Sequence, residues 1–287
     1  MDQSLYDYSP IVERPPLSWP GGRSVAVYLG LNVEHFRLDR PATSTSSVTA
    51  HLTPDPMNYG WRDYGVRVGV WRLIELLDEL ALPASVLLNS AVCERYPQIL
   101  AAVVERGWAI LAHGEDNSTL QGGIDERLEG DLLARMTATI ERASGVRPVG
   151  WLGPALTETF ATPRLLGELG YSYVLDWCND DQPYALNVPG MISVPYSVEL
   201  NDINLFVDRS FTGPQYVQMV VDHLDQLLSD SSTAGRVMAL PVHPFVLSTP
   251  ARHRHLRAAL TEVLAHEAVW FTTSDAIAAH YIAERGA

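Results

Sequence analysis

VGVWRLIELLDEL, at Val68–Leu80, runs directly into PASVLL, at Pro83–Leu88, and the reading of this pair decides the fold. In the first stretch the apolar residues recur at helical spacing, and the second is a short unbroken apolar run of strand length. A helix feeding a buried strand is part of a β-α-β step. Working back, Ser24–Leu31 (SVAVYLGL) is a β-branched and apolar run that supplies the preceding strand. Working forward, the pattern predicts a helix near 94–105, a strand at Trp108–Leu111, a helix near 125–143 and a strand near 148–152. It continues with a helix near 162–168, strands at Tyr171–Leu175 and Ile192–Pro195, and a helix at 214–229. Val237–Pro241, a helix at 251–265, Val269–Thr272 and a helix at 275–284 complete it. Such alternation implies parallel strands joined by right-handed crossovers. Seven or eight strands in 287 residues predict an α/β barrel rather than an open sheet. Residues 1–22, with Pro10, Pro15, Pro16, Trp19 and Pro20, read as an ordered arm suited to a subunit contact, and 23–287 as one barrel domain. Arg37–Asn58 lacks periodicity and is a candidate lid or rim.

Composition narrows the function classes. An apolar fraction of 47% supports a full core, and a net charge of −14 repels an extended polyanion, so nucleic acid is not an expected partner. No stretch approaches the roughly 20 apolar residues that span a bilayer, and the N-terminus lacks a basic segment followed by an apolar one. A soluble cytoplasmic protein without a membrane partner is expected. Cys93 and Cys178 have no CxxC spacing and read as small apolar fillers in a reducing compartment.

Four polar clusters follow strand-like runs: Asn32-Val33-Glu34-His35, His113-Gly114-Glu115-Asp116-Asn117, Asp180-Asp181-Gln182-Pro183 and Pro241-Val242-His243-Pro244. In parallel strands of one sheet all four reach the carboxyl edge, where α/β folds place their sites. Glu34 and His35 would be costly at the end of a buried strand unless they meet a metal, a charge or water. Neighbours on a strand face opposite sides, although a twist or bulge at its end brings both to one cavity. His113 precedes a glycine that permits a sharp turn, and its imidazole is a natural zinc donor or an ordinary hydrogen-bonded residue. Asn117 can back it as a donor or an oxygen ligand. Asp180 and Asp181 either cap a turn before Pro183 or orient an imidazole or substrate. His243, held between prolines, suits general acid or base work near neutral pH.

The order of these motifs resembles the polysaccharide deacetylase superfamily, the NodB-homology fold, whose members are distorted (β/α) barrels. The branch it resembles holds the metal-independent allantoinases and the cyclic imide hydrolases. The matching residues are Trp19-Pro20-Gly21-Gly22, Asn32-Val33-Glu34-His35, Trp61-Arg62-Asp63-Tyr64-Gly65, Leu87-Leu88-Asn89-Ser90, His113-Gly114, Gly150-Trp151-Leu152-Gly153-Pro154 with Thr157-Glu158-Thr159, Asp180-Asp181-Gln182-Pro183 and His243-Pro244-Phe245. They span almost the whole chain. Three departures from the carbohydrate deacetylases stand out: Glu34-His35 replaces Asp-Asp, Asn117 replaces the second histidine of His-x-x-x-His, and Trp151 stands where an arginine steadies the base.

The resemblance implies a hydrolase of a C–N bond in a small cyclic amide, imide or ureide. Either His35, His113 and Asn117 hold one divalent metal, Zn²⁺ being favoured, or no metal is bound and Glu34 activates water. Glu34, His243 and Asp181 are the expected catalytic residues. Trp61, Tyr64, Asn89, Trp151, Asp180 and Gln182 are the expected contacts to a planar amide. A small-molecule substrate and a homo-oligomer, dimer or tetramer, are implied. A carbohydrate N-deacetylase is the first alternative, and a repurposed non-hydrolytic relative that binds or rearranges a small molecule is the second.

Overall fold

The computed structural model describes residues 3–231 and 234–285, so residues 1 and 2 of the predicted arm lie outside it. Its strands are β1 (Val25–Val33), β2 (Ser85–Leu88), β3 (Ala109–Ala112), β4 (Gly150–Trp151), β5 (Tyr173–Val174), β6 (Tyr184–Ala185), β7 (Ile192–Ser193), β8 (Arg236–Val242) and β9 (Val269–Thr272). They form one curled sheet in the order β6-β7-β5-β4-β3-β2-β1-β8, and every pairing is parallel except β6 with β7. β9 pairs with Val25–Tyr28, and β2 takes over the same edge of β1 from Gly30 onward. The predicted strands are all present. The short antiparallel β6, absent from the expected pattern, shares its polar surroundings with the 179–183 cluster and carries no apolar run to betray it.

The crossovers between parallel strands are helical except the one from β5 to β7, which runs through β6. The helices are α1 (Pro56–Tyr64), α2 (Val70–Glu79), α3 (Ser90–Arg95), α4 (Pro97–Glu105), α5 (Glu126–Ser144), α6 (Thr162–Glu168), α7 (Gly213–Asp230), α8 (Pro244–Leu247), α9 (Pro250–Leu264) and α10 (Ser274–Arg285). Glycine closes α5: Gly145 takes the left-handed conformation at its C-terminus, φ 73°. α7 begins with a capping box between Thr212 and Gln215. Among the described residues no helix is long and apolar enough to cross a membrane.

The sheet is buried on both faces, so its strands are continuous apolar runs rather than alternating ones. Alternation survives as a division between two cores. Val25, Val27, Leu29, Leu31 and Val33 pack against the helices, whereas Ala26 and Tyr28 point inside the curl with Leu87, Leu111, Leu152 and Tyr173. The sheet does not close by strand pairing between β8 and the β6–β7 edge. Instead, Val237 N–H donates to the Asp181 carbonyl at 2.8 Å, the Trp19 indole donates to the Arg236 carbonyl at 2.8 Å, and the N-terminal arm lies over the gap. The result is a distorted half-barrel.

Candidate active site

The parity of β1 decides what its end presents. Even-numbered residues point inside, so Asn32 and then Glu34 enter the cavity, while His35 turns outward to the helices. The His35 ring meets the Tyr96 hydroxyl through Nδ1 at 3.1 Å, and its backbone N–H donates to Asn89 Oδ1 at 2.8 Å. The same rule places Leu111 and His113 inside from β3, and Leu152 inside but Trp151 outside from β4.

Glu34, His113 and His243 converge in a cavity of about 460 Å³ that also takes Asn32, Asn117, Ser118, Tyr196, Asn201 and Asn204. Glu34 Oε1 is the hub. His113 Nε2 lies 3.3 Å from it, His243 Nε2 3.6 Å, and Asn117 Nδ2 donates to it. Oε2 is buried with no hydrogen-bond partner among the described residues. Burial opposes the charge on Glu34, but His243 and the hydrogen bonds from both histidines outweigh it and hold the carboxyl down at about 2.

His243 owes its charge to a residue that the sequence did not single out. Asp202, fully buried, stands 2.6 Å from His243 Nδ1 and accepts the His243 backbone N–H at 2.8 Å. Burial disfavours the imidazolium, but Asp202 on one side and Glu34 on the other raise His243 from 6.5 to about 10. The site therefore carries an ionised carboxylate and a charged imidazole side by side. No motif could have flagged Asp202, which opens the short helical stretch leading into a π-helical turn (Asn204–Asp208) and meets His243 only in the folded chain.

Asn89 organises the rest without lining the cavity. Its amide donates to the His113 carbonyl and, at 2.9 Å, to Asn117 Oδ1. That bond points the Asn117 oxygen away from the cavity and its N–H at Glu34. Pro41–Thr43, from the predicted rim, forms part of the wall, and Arg62 ties the Thr43 carbonyl in place.

Several expected site residues lie elsewhere. Asp181, Asp180 and Gln182 sit at the amino ends of the strands: the Asp181 carbonyl pairs with Val237 at the start of β8, and Gln182 Nε2 donates to the Gly235 carbonyl at 2.8 Å. Asp180 is bound by Arg14 at 2.5 Å. The chain between β5 and β6 runs back down the barrel, so a polar cluster after a strand need not remain at the carboxyl edge. A cavity of about 580 Å³ under the arm includes Asp180 and Asp181 but none of Glu34, His113 or His243. Trp151 is fully buried against the helices. Trp61 packs on Phe245 with ring centroids 4.8 Å apart, and the Tyr64 hydroxyl accepts from Arg72 at 2.7 Å, so both serve the helical layer. Burial pushes the Cys178 thiol up to about 12, away from the thiolate form.

The donor set expected for a divalent metal is not assembled. His35 faces Tyr96 while His113 faces Glu34, Asn117 presents N–H rather than oxygen, and among the described residues no three His, Cys, Asp or Glu side chains group to hold a metal ion.

Comparison with known proteins agrees with this architecture. Residues 53–174 match the polysaccharide deacetylase family. The crystal structure of PuuE allantoinase superposes with a TM-score of 0.86 at 25% identity, covering 98% of this chain and 99% of that one. A "probable polysaccharide deacetylase" from Pseudomonas aeruginosa PAO1 gives 0.87 at 26% identity over 95% and 96%. The peptidoglycan deacetylase of Helicobacter pylori is 22% identical over 279 residues, covering 85% of this chain and 94% of its own. From the matched residues, the curled parallel sheet and these relatives together, the chain carries a polysaccharide deacetylase domain of the NodB fold.

Proposed function

We propose that the protein hydrolyses a C–N bond in a small, uncharged cyclic amide, imide or ureide, with Glu34 as general base and His243 as general acid. The observation that carries this reading is the Glu34 carboxylate itself. One oxygen is buried without a hydrogen-bond partner among the described residues, and the other is held against a His243 imidazole kept charged by Asp202.

The chemistry follows from the charge states. A water at Oε2 gives a proton to Glu34 as its oxygen bonds to the substrate carbonyl carbon. The C–N bond then breaks as His243 Nε2 delivers a proton to the departing nitrogen, leaving a carboxylic acid and a free amide or amine end. Asn117 N–H and His113 hold the Glu34 carboxylate in place, and the substrate carbonyl takes hydrogen bonds from the same donors as charge develops on its oxygen.

The cavity favours a compact neutral substrate. Its volume lies in the range of small-ligand sites, and its polar wall is mostly amides and hydroxyls. Neither Arg nor Lys is among the described residues that line it, and the His243 imidazolium there is already paired with Asp202 and Glu34, so a substrate carboxylate or phosphate would compete with two carboxylates for it. The relatives named as an allantoinase and as a peptidoglycan deacetylase both support C–N hydrolysis on this fold. The test is turnover of a panel of cyclic imides, ureides and N-acetyl sugars by the wild type and Glu34→Gln. A neutral cyclic substrate should be opened, and the variant should lose about 10²–10⁴-fold in kcat while still binding it. Faster hydrolysis of the N-acetyl sugars would reassign the protein to carbohydrate deacetylation. Ligand binding without turnover by the wild type would make it a repurposed binder.

A further inference from the structure

Two residues deep in the cavity carry hydrogen-bonding groups that the fold leaves unspent. Asn32 and Tyr196 are only 1% and 5% exposed, and both line the cavity. Asn32 Nδ2 faces three oxygens: the Gly30 carbonyl at 3.3 Å, the Val242 carbonyl at 3.4 Å and the Tyr196 hydroxyl at 3.3 Å. Carbonyls only accept, so the atom beside them is the amide nitrogen and the side chain cannot be turned over. Oδ1 lies on the other arm of the amide and receives no donor among the described residues.

The Tyr196 hydroxyl is fixed by the same bond. Its oxygen accepts from Asn32, and its own hydrogen finds no acceptor among the described residues. Burial, with the charges of Asp202 and Glu34, keeps that hydrogen on the phenol. The segment is braced from behind, where the fully buried Tyr28 donates its hydroxyl to the Pro195 carbonyl at 2.7 Å. An unspent acceptor and an unspent donor are thus separated by no more than one amide group and one hydrogen bond.

This pair is the complement of an amide edge, N–H beside C=O. Asn32 precedes Glu34 by two residues on the same face of β1, about 6–7 Å along the strand, so a small ring seated on the pair brings its far side to Glu34. The Val242 carbonyl beside Asn32 belongs to the residue before His243, which places the edge near the acid as well. Elsewhere in the wall the acceptor oxygens are already engaged: Asn201 Oδ1 takes the Ile203 N–H at 3.0 Å and Ser118 Oγ the Arg37 N–H at 2.9 Å, leaving hydrogens for further carbonyl oxygens.

We propose that Asn32 and Tyr196 are the specificity-determining pair of the site: Asn32 Oδ1 accepts the ring N–H, and the Tyr196 hydroxyl donates to the carbonyl next to it. The proposal rests on the hydrolytic reading of the cavity and narrows its substrate to a ring whose nitrogen is unsubstituted and lies between two carbonyls. One carbonyl is attacked beside Glu34 and the other is read by Tyr196. The nitrogen keeps its hydrogen on Asn32 and gains the proton from His243 as its bond to the attacked carbon breaks, leaving a primary amide on the same pair.

The test is calorimetric binding to Glu34→Gln, which does not consume the ligand, of succinimide, glutarimide and hydantoin, each against its counterpart methylated on the nitrogen between the carbonyls. The N–H rings should bind about 10–100-fold more tightly than the methylated ones, because a methylated ring leaves the buried acceptor unpaired. Adding Asn32→Ala or Tyr196→Phe should weaken the N–H rings but not the methylated ones, so that the ratio falls toward one; a merely structural defect would weaken both alike. Should the Asn32 variant fail to fold, Tyr196→Phe, which removes one oxygen, carries the same comparison. Equal binding of methylated and unmethylated rings, a ratio unchanged in the variants, or no binding of any ring overturns the inference. Selective binding without turnover by the wild type would refute the proposed hydrolysis and leave the pair standing, whereas equal turnover of methylated and N–H rings would do the reverse.

Discussion

Asp202→Asn isolates the charge on His243. Asp202 gives His243 two contacts, 2.6 Å to Nδ1 and 2.8 Å from the backbone N–H. Asparagine has one oxygen for these two donors. If that oxygen keeps the backbone N–H, the amide N–H₂ faces Nδ1, which must then offer a lone pair. That arrangement favours the neutral ring, with its proton on Nε2. Losing an opposite charge at this range lowers an imidazole by about 1–3 units, or about 1.4–4 kcal/mol of preference for the charged form. Glu34 remains 3.6 Å away and keeps part of the elevation, so His243 should fall from about 10 to about 7–9. The alkaline limb of kcat should move down with it, and turnover at its plateau should fall about 10²–10⁴-fold because no carboxylate then holds the acid in its productive orientation. The assay is a pH–rate profile on the best cyclic substrate, paired with a carbon NMR titration of His243 that does not depend on activity. Stability carries the same signature. A folded value raised from 6.5 to about 10 contributes stability that is full below pH about 6.5 and is lost as the pH rises toward 10. Urea melts of the variant should show a shallower loss across that window than the wild type. An unmoved limb with wild-type turnover would refute the assignment of His243 as an acid charged by Asp202.

His35→Ala should leave kcat within a few-fold of the wild type, because the ring bonds Tyr96 outside the cavity; a loss beyond about 10²-fold would put this imidazole in the chemistry. Extensive chelation should likewise leave turnover intact, and activity lost to chelator and restored by one divalent cation would overturn the reading of the donor set. Gly69→Ala should destabilise by about 1–3 kcal/mol in urea melts, since its methyl group would lie 2.2 Å from the Pro244 carbonyl oxygen, beside His243; a change under about 0.5 kcal/mol would show that this backbone contact yields freely.

The sequence and the site tell different stories about legibility. Helical spacing and apolar runs located all eight long-range strands because a doubly covered parallel sheet leaves its own continuous signature. Glu34, His113, Asn117 and His243 were visible as polar residues ending such runs. Asp181 and Gln182 looked the same in sequence but fell at the opposite end, since nothing local distinguishes a chain that stays at the carboxyl edge from one that turns back. His35 was visible as a histidine, but its direction depended on whether β1 kept its alternation to the end, and it did.

What the sequence determined alone, therefore, is the α/β architecture, the acid and base residue types, and the edge at which most of them gather. Periodicity and local composition encode these. Tertiary structure decided which of those residues share a cavity, and it added Asp202 to His243 and Asp176 to the Leu152–Gly153 peptide. Those pairings join positions far apart in the chain, and charge state is a property of the neighbours that folding brings within a few ångströms, which no single residue carries in its own sequence context.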